Sequence, residues 1–446
     1  MPLSFSKARS LLAALAPKTG LAMNSNVARL AFRRSDVALG NLSERPPTVA
    51  TSIASTQEKN TADGTPSHIE ILTTPAQLEG VRRFWEQTNT SPDLDFEQFT
   101  ERMRTQNGSA RPFVLSLSDR GRQTALIVGA IIALRPDWRL GYRSLSIEPV
   151  SCLQIDHGAV LGRLSDGDSR RVVERLVEEL RHGSVDLIQA RYLPTSSPLY
   201  TALKTVPGPL ARDPVTELNP HWRLQLPPTY REFCRSRSKK MHAEIRLVTN
   251  RILKKFGETL SVEHYTRSDQ IPEAIAAIAP IAARTYHSRL GESFNDSPEL
   301  RTDWASAAER GWLNVHVLRI AGAPIAYWTG CTYMKQYFTG YTGFDPEFRH
   351  YHPGKYLLLR IIEQFCETGE VTTFDYGFSH EDWKRRLGTS PTEEAIVHLF
   401  APTVRGVRLR MTRLMTSGTT KLTKSILART NMLARLKKLT KTLATK

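Results

Sequence analysis

The chain has 446 residues, of which 40% are hydrophobic, and a formal net charge of +17. At roughly 100–200 residues per domain, this length predicts two or three domains. No apolar run approaches the ~20 residues of a membrane-spanning helix, which argues against an integral membrane protein.

Positive charge is concentrated at the C-terminus. Residues 401–446 hold twelve Lys or Arg and no Asp or Glu, and removing these twelve charges leaves +5 for the rest of the chain. A nucleic-acid-binding domain would carry its cations across a folded face, so no DNA partner is expected.

The four cysteines lie far apart and form no CxxC pair. This pattern predicts reduced thiols, no metal site and a cytoplasmic protein.

Residues 1–66 are rich in Ser, Ala, Thr and Asn and show no sustained apolar period. No acidic residue precedes Asp36, although six Lys or Arg do. This composition is similar to that of an organelle transit peptide; a disordered extension, or a start at Met23, explains it equally well. We predict a disordered N-terminal extension over 1–66.

A first folded unit is predicted over residues 67–226. It opens with the strand-like "HIEILTT" and continues with two segments of helical period. Three strand-like runs follow, among them "TALIVGAIIAL". Residues 166–183 predict a helix, with acidic residues in its first turn and a terminal Gly. The segment "VDLIQARYL", residues 185–193, predicts a buried strand.

A second unit, over residues 227–402, repeats this order after a long basic helix predicted over 227–257. Both units read as strand, helix, helix, three strands, helix, strand. The repeat predicts an α+β fold of two tandem units, each a mixed and mostly antiparallel sheet flanked by helices.

The stretch "FRHYHPGKYLLLRIIEQF" predicts an anion site at the start of a buried helix. Free amides and a partial positive charge at a helix N-terminus suit a phosphate or pyrophosphate. Pro353 fits the first turn of the helix, and Gly354 permits a close approach of the ligand. The same stretch adds cations, at Arg349, His350, His352 and Lys355. Pro and Gly also begin helices that bind no ligand, and that alternative stays open.

Residues 228–400 resemble the acetyltransferase domain of the CelD/BcsL type, also called BioF2-like, within the GNAT superfamily. The resemblance is carried by "SRSKKMHAEIRL", "GAPIAYWTG", "YTGFDPEFRHYHPGKYLLLRIIEQF" and "FDYGFSHEDWKRRLG". The family motif falls on Asp345–Pro346, Pro353–Gly354, Asp375–Gly377 and Lys384. This sequence departs from the motif at His352, where Ser is usual, and at Trp383, where Tyr is usual. The layout of the first unit is similar to the degenerate N-terminal half of FemAB-like transferases.

The resemblance implies a tandem GNAT fold with acetyl-CoA or another acyl-CoA as donor. Its pyrophosphate would bind the start of the 353–368 helix, with pantetheine along "KQYFTGYTGF". Asp345, His380 and Asp375 are candidates for the base that deprotonates the acceptor, and Tyr341 for the acid that protonates the thiolate. Lys384 is a candidate phosphate ligand. No Ser-His-Asp or Cys-His elbow is visible, so a covalent acyl-enzyme is not expected.

Residues 403–446 predict a basic amphipathic helix, suited to the surface of an anionic membrane. The alternatives are an RNA-binding arm and a helix that docks on a partner. The family resemblance suggests a cell-envelope glycan or lipid precursor as acceptor. The tail predicts a cytoplasmic protein at the periphery of the inner membrane. Two other functions remain open: a FemAB-type transferase that uses aminoacyl-tRNA, and a non-catalytic scaffold.

Overall fold

The structure is a computed structural model that describes residues 68–105, 110–136, 138–140, 143–145, 147–213, 215–285, 294–378 and 382–429. The predicted disordered extension over 1–66 therefore lies outside the described residues, as does the tail beyond residue 429.

The N-terminal half follows the predicted order, with capped helices. Thr74 and Ser165 each form a capping box at a helix start, which satisfies amides that would otherwise lack an acceptor. The elements are β1 (His68–Leu72), α1 (Pro75–Thr88), α2 (Phe96–Thr105), β2 (Ala110–Asp119), β3 (Arg122–Leu134), β4 (Arg139–Leu140), β5 (Arg143–Ser144), β6 (Val150–Ile155), β7 (Val160–Gly162), α3 (Asp166–Arg181), β8 (Leu187–Pro194), α4 (Pro198–Thr205) and β9 (Glu217–Gln225).

The C-terminal half repeats this order. Its elements are α5 (Tyr230–Arg235), α6 (Lys239–Phe256), β10 (Leu260–Tyr265), α7 (Ile271–Arg284), α8 (Pro298–Glu309), β11 (Leu313–Ile320), β12 (Ala323–Tyr333), β13 (Gln336–Phe344), α9 (Pro353–Thr368), β14 (Thr373–Phe378), α10 (Asp382–Leu387), β15 (Ser390–Phe400) and α11 (Val404–Arg429). The single helix predicted over 227–257 is wrong. Ser236 ends α5, and Ser238 begins α6 by accepting the amide of Met241, because Ser caps a helix better than it continues one.

The two halves share one sheet in the described part of the chain. The strand order is β1-β2-β3-β6-β8-β15-β9-β14-β13-β12-β11-β10. Read from either edge, corresponding strands occupy corresponding places, and the two parallel pairs, β6–β8 and β13–β14, match as well. The predicted α+β class of two tandem, mostly antiparallel units is confirmed.

The last strand of each half crosses into the other half. Strand β9, which precedes the predicted boundary at 226/227, pairs with β14, and β15 pairs with β8. The apolar side chains of β15 accordingly belong to the N-terminal core: Ala395, Val397 and Leu399 lie with Leu153, Val172 and Leu176. The exchange places residues of both halves side by side at the centre of the sheet.

Two further findings concern the whole molecule. Among the described helices, none has the length and apolar character needed to cross a bilayer. All four cysteines are free thiols, and Cys152, Cys331 and Cys366 are buried. Burial raises the pKa of the Cys366 thiol to about 11, so this side chain acts as an apolar group in the core.

Candidate active site

Strands β13 and β14 pair at one end and then separate. Their parallel ladder consists of Gln336 with Thr373, Tyr337 with Phe374 and Phe338 with Asp375. At the point of separation, Thr339 Oγ1 donates to the Asp375 carbonyl oxygen at 2.8 Å. Each strand has a bulge on its other side, one opposite Trp328–Gly330 and one at Asp375–Gly377. Because bulges bend strands, the two strands leave an opening between residues 339–344 and 376–378.

Helix α9 begins beside the far end of β13. His352 is its N-cap residue with a φ of 52°, and its side chain makes no capping hydrogen bond. The amides of Lys355 and Tyr356 both donate to the His352 carbonyl oxygen. A Cβ on Gly354 would lie 3.4 Å from the Phe344 ring, an ordinary van der Waals contact, so the first turn lies close to the strand and has room for a side chain. Among the hydrogen bonds of the described residues, none uses the Gly354 amide.

The start of α9 carries a positively charged rim. Arg349, His350 and His352 are exposed, and Arg251 of α6 donates to the His350 carbonyl oxygen at 3.0 Å. Partial burial, together with the charges of Arg251 and Lys355, lowers the pKa of His352. The cations therefore outweigh the nearby anions at this position, which favours an anionic ligand.

Beneath this rim lies a cleft of about 250 Å³, lined by Met241, Glu244, Lys355, Trp383, Arg386 and Leu387. Glu244 forms ion pairs with both cations of the cleft. Its carboxylate lies 2.5 Å from Lys355 Nζ and 3.3 Å from Arg386 Nη1. Burial would raise the pKa of Glu244, but these two partners lower it. A ligand that displaced this carboxylate would gain two cations.

Two predicted residues lie at the separated part of β13: Tyr341 is in the strand, and Asp345 directly follows its last residue. Asp345 Oδ1 accepts the Glu347 amide at 3.0 Å, which caps the short 3₁₀ helix Pro346–Tyr351. Its Oδ2 lies 2.6 Å from Arg284 Nη1. The Tyr341 amide donates to Thr329 Oγ1 at 2.7 Å, and its ring stands edge-on to Phe294. The contacts of Asp345 are those of a cap and an ion pair, and its role as base stays a prediction.

Two other predicted residues lie near the end of β14. Lys384 of α10 is buried, with Nζ 3.4 Å from the Phe378 carbonyl oxygen and 5.6 Å from the centre of the Trp383 ring. It therefore lies inside the fold, whereas the other predicted phosphate ligands lie on the rim of α9. His380 is outside the described residues.

Asp375 belongs to a buried network of charges that the sequence did not indicate. His221 Nε2 lies 2.7 Å from Asp375 Oδ1, and His221 Nδ1 lies 2.9 Å from Glu394 Oε1. His157 Nδ1 lies 3.0 Å from Glu394 Oε2. Arg223 Nε donates to Asp375 Oδ2 at 3.1 Å. The network thus joins β14, β9, β15 and the turn after β6.

The charges of the network stabilise one another. Burial would raise the pKa of Glu394, but hydrogen bonds from His157 and His221 lower it to about 2. Burial would likewise raise the pKa of Asp375, and the charge of His221 next to it holds the value well below the ordinary range. Burial would lower the pKa of His221, but Asp375 and Glu394 raise it. The two carboxylates therefore favour the protonated form of His221.

The same residues come close to the geometry of a metal site. The ligand atoms of His157, His221 and Glu394 lie within 4.8 Å of one another. However, Arg223 Nη2 lies 3.0 Å from His221 Nδ1 and 4.0 Å from Glu394 Oε1. Two unit charges at about 4 Å repel by about 4 kcal/mol at a protein-like dielectric, and a dication would be repelled more. The guanidinium supplies the positive charge that a metal would bring.

Sequence reasoning missed His157, His221 and Glu394 for a physical reason. They lie on three elements that are far apart along the chain, so no local spacing connects them. One signal was available: the alternation in "PHWRL" of β9, which places His221 and Arg223 on one face and Trp222 and Leu224 on the other, is typical of a strand.

Part of the chain is similar to known proteins. Residues 239–385, about a third of the chain, match the family model of the acetyltransferase (GNAT) domain. No curated protein matches the sequence.

Several solved structures are similar to the chain. FemX has 11% identity and a TM-score of 0.48, and the match covers 73% of this chain and 96% of FemX. A tandem GNAT protein from the clavulanic acid biosynthesis pathway has 14% identity and a TM-score of 0.44, with 75% and 99% covered. The C-terminal domain of a putative lysylphosphatidylglycerol synthetase from Agrobacterium fabrum has 11% identity and a TM-score of 0.43, with 76% and 95% covered. The segment that contains α6, α9 and the separated strands β13 and β14 is the part of this chain that matches the acetyltransferase (GNAT) family.

Proposed function

We propose that the protein is an acyltransferase that moves an acetyl or longer acyl group from acyl-CoA to an amine or hydroxyl. The observation that carries the proposal is the start of α9. There the Gly354 amide makes no hydrogen bond to any described residue, and Arg251, Arg349 and Lys355 lie close together. An amide and cations at a helix N-terminus are the donors that a diphosphate requires. The match of residues 239–385 to the acetyltransferase (GNAT) family supports the same donor.

The opening between β13 and β14 suits the pantetheine arm. A narrow chain can lie where two strands separate, because the backbone groups there lack a partner strand. The acceptor's nitrogen or oxygen would attack the thioester carbonyl, so that a C–N or C–O bond forms and the C–S bond breaks. A base takes the acceptor's proton, and the departing thiolate takes a proton from an acid. Of the bases that the family resemblance implies, Asp345 and Asp375 lie within the described residues, and Tyr341 is the candidate acid.

Calorimetry with acetyl-CoA, a long-chain acyl-CoA and free CoA tests this proposal. Binding of all three supports the diphosphate site at the start of α9, and their relative affinities report the preferred length of the acyl group. A native-state ligand also raises the melting temperature with the logarithm of its concentration. Absence of binding by every CoA ester would refute the acyl-CoA donor and would leave the aminoacyl-tRNA-dependent and scaffold functions.

A second donor has one observation in its favour. Helix α6 carries six Lys or Arg and one acidic residue, Glu244. A FemAB-type transferase would use such a face to hold aminoacyl-tRNA, since phosphate contacts dominate nucleic-acid affinity. Binding of charged tRNA together with no binding of CoA would favour this alternative.

The acceptor and the location of the protein are inferred from the resemblance to the CelD/BcsL type and from the tail. A glycan or lipid precursor of the cell envelope is the proposed acceptor, reached from the cytoplasmic face of the inner membrane. In α11 an apolar stripe is exposed, at Val404, Val407, Met411 and Met415. Arg405 and Arg408 are also exposed. Apolar and basic side chains on one exposed helix suit peripheral binding to anionic lipid.

A further inference from the structure

We propose that His157, contributed by the N-terminal half and held by Glu394, is the base that takes the acceptor's proton. This inference rests on the acyl transfer proposed above and assigns to that site a residue outside the segment that matches the acetyltransferase (GNAT) family. Glu394, His221 and Asp375 would then be positioning residues behind His157.

The first support is the order of the network and its exposure. Asp375, His221, Glu394 and His157 form a chain of carboxylate, imidazole, carboxylate and imidazole. The side chains of His221, Asp375 and Glu394 are 2%, 4% and 1% exposed, whereas that of His157 is 23% exposed. A substrate can therefore reach the chain at His157.

The second support is the position of His157 beside the opening. Its ring centre lies 5.3 Å from that of Phe378 in an edge-on contact. Phe378 is the last residue of β14 and lies beyond the last pair of the β13–β14 ladder. It also stacks on His221 at 4.2 Å and on Tyr192 at 4.1 Å. His157 thus lies next to the separated end of β14.

The third support is the direction of the hydrogen bonds. His157 Nδ1 lies 3.0 Å from Glu394 Oε2 and 3.3 Å from the Tyr192 carbonyl oxygen, and both are acceptors. The Nδ1 proton is donated to the Tyr192 carbonyl oxygen, while Glu394 Oε2 lies beside it as a charge contact without hydrogen-bond geometry. The lone pair is then on Nε2. Arg223 Nη2 lies 3.4 Å from Nε2, a long contact from a donor. This tautomer is the one a general base needs, with Nδ1–H held by a backbone carbonyl and a lone pair on Nε2. The acceptor's proton would replace the long Arg223 contact at Nε2.

The proton balance is simple. As the acceptor attacks the thioester, its proton moves to His157 Nε2, and the imidazolium that forms is stabilised by Glu394. The proton later leaves to solvent through the exposed edge of the ring. The charged groups that face His157 are Glu394, Arg223 and His221, and its sequence neighbour Asp156 is paired with Arg191 at 3.2 Å. No oxidant, metal or covalent enzyme intermediate is required.

The test uses the full chain and the hydrolysis of acetyl-CoA, in which water is the acceptor. His157→Gln should reduce enzyme-dependent CoA release by about 100-fold or more, the usual contribution of a general base, while calorimetry shows unchanged affinity for CoA. The matched control is His68→Gln, on the exposed edge strand β1, which should leave the rate unchanged. The deficit of His157→Gln should shrink as pH rises, because hydroxide needs no base.

A second measurement uses wild-type protein, so it remains informative if His157→Gln does not fold. Nitrogen-15 NMR of the imidazole should show the neutral Nδ1–H tautomer of His157. Full hydrolysis by His157→Gln, no wild-type hydrolysis above the buffer rate, an Nε2–H tautomer, or stoichiometric zinc in the purified protein would each overturn the inference. Failure of the wild type to bind CoA would instead overturn the acyl-CoA proposal, so the two failures are distinguishable.

Discussion

His221 Nε2 lies 2.7 Å from Asp375 Oδ1 and 2.8 Å from Oδ2, and this contact joins a strand from each half of the protein. His221 belongs to β9, which ends the N-terminal half, and Asp375 belongs to β14 beside the proposed donor site. The exchange of the last strands brings the two residues together. The pair therefore connects the integrity of the shared sheet with the geometry of the opening.

Asp375→Asn should lower the free energy of unfolding by about 3–5 kcal/mol, because it leaves the buried His221 and the partly buried Arg223 without their carboxylate. Urea unfolding measures the change. Asp119→Asn, at the end of β2 where the side chain is exposed, is the matched control and should change stability by less than about 0.5 kcal/mol. Equal stability of Asp375→Asn and wild type would show that the network contributes nothing to the fold.

The network also predicts how stability depends on pH. The pKa of Glu394 falls to about 2 in the folded state, from about 4.3 in the unfolded chain. A carboxylate with a depressed folded pKa stabilises the protein above its unfolded value and loses that effect as pH falls through the folded one. The stability difference between wild type and Glu394→Gln should thus be largest above about pH 4 and shrink toward pH 2.

His221 behaves in the opposite direction. Its folded pKa is raised, so its contribution is complete below about 6.5 and is lost as pH rises through the folded value. Urea titrations of wild type and Glu394→Gln across both limbs test these signs together. A wild-type minus variant difference that did not change with pH would contradict them.

Gly354→Glu should abolish CoA binding while leaving the fold intact, because it places a carboxylate against the proposed diphosphate. Gly354→Gln is the matched control, with the same bulk and no charge. It should weaken CoA binding less, and the difference in affinity between the two variants measures the electrostatic contribution to binding of the diphosphate. Calorimetry gives both affinities, and unchanged binding by Gly354→Glu would remove α9 from the proposed site.

Substitutions of Lys355 and Glu244 should have opposite effects on the affinity for CoA. Lys355→Met removes a cation from the cleft and should weaken CoA binding several-fold, with a smaller dependence on salt. Glu244→Gln releases Lys355 and Arg386 from their shared carboxylate and should leave binding unchanged or tighten it. A loss of affinity in Glu244→Gln would mean that the ion pairs shape the site rather than compete with the ligand.

The tail predicts binding to anionic vesicles that weakens as salt is added. Replacing both Met411 and Met415 with Glu should reduce this binding by about tenfold or more, since each apolar side chain contributes about 1.5–3 kcal/mol when buried. Leu210→Glu, at another exposed apolar position, is the control and should bind as wild type. Binding to RNA alone would overturn the membrane proposal.

Strong periodic patterns let the sequence predict much of the fold. The helix over 353–368 and the meander over 312–344 correspond to α9 and to β11–β13, because their apolar residues recur at one period and turns bound them. Strands β9 and β15 were missed. Each carries charged or polar residues at positions that the exchange buries, such as His221 and Glu394, and a local pattern reads such residues as surface.

The candidate site divides in the same way. The rim of α9 is local in sequence, so Arg349, His352 and Gly354 could be grouped from their spacing alone. The charged network depends on pairing between strands that are more than 150 residues apart, as the His221–Asp375 contact shows. Only the strand order reveals it, and Asp375 was the one member that the family motif indicated.

A crystal structure of the complex with CoA tests the central claim most directly. The diphosphate should bind at the first turn of α9, within hydrogen-bond distance of the Gly354 amide and close to Arg349 and Lys355, with pantetheine between β13 and β14. A diphosphate bound elsewhere on the protein, with the Gly354 amide facing only solvent, would contradict the proposed donor site.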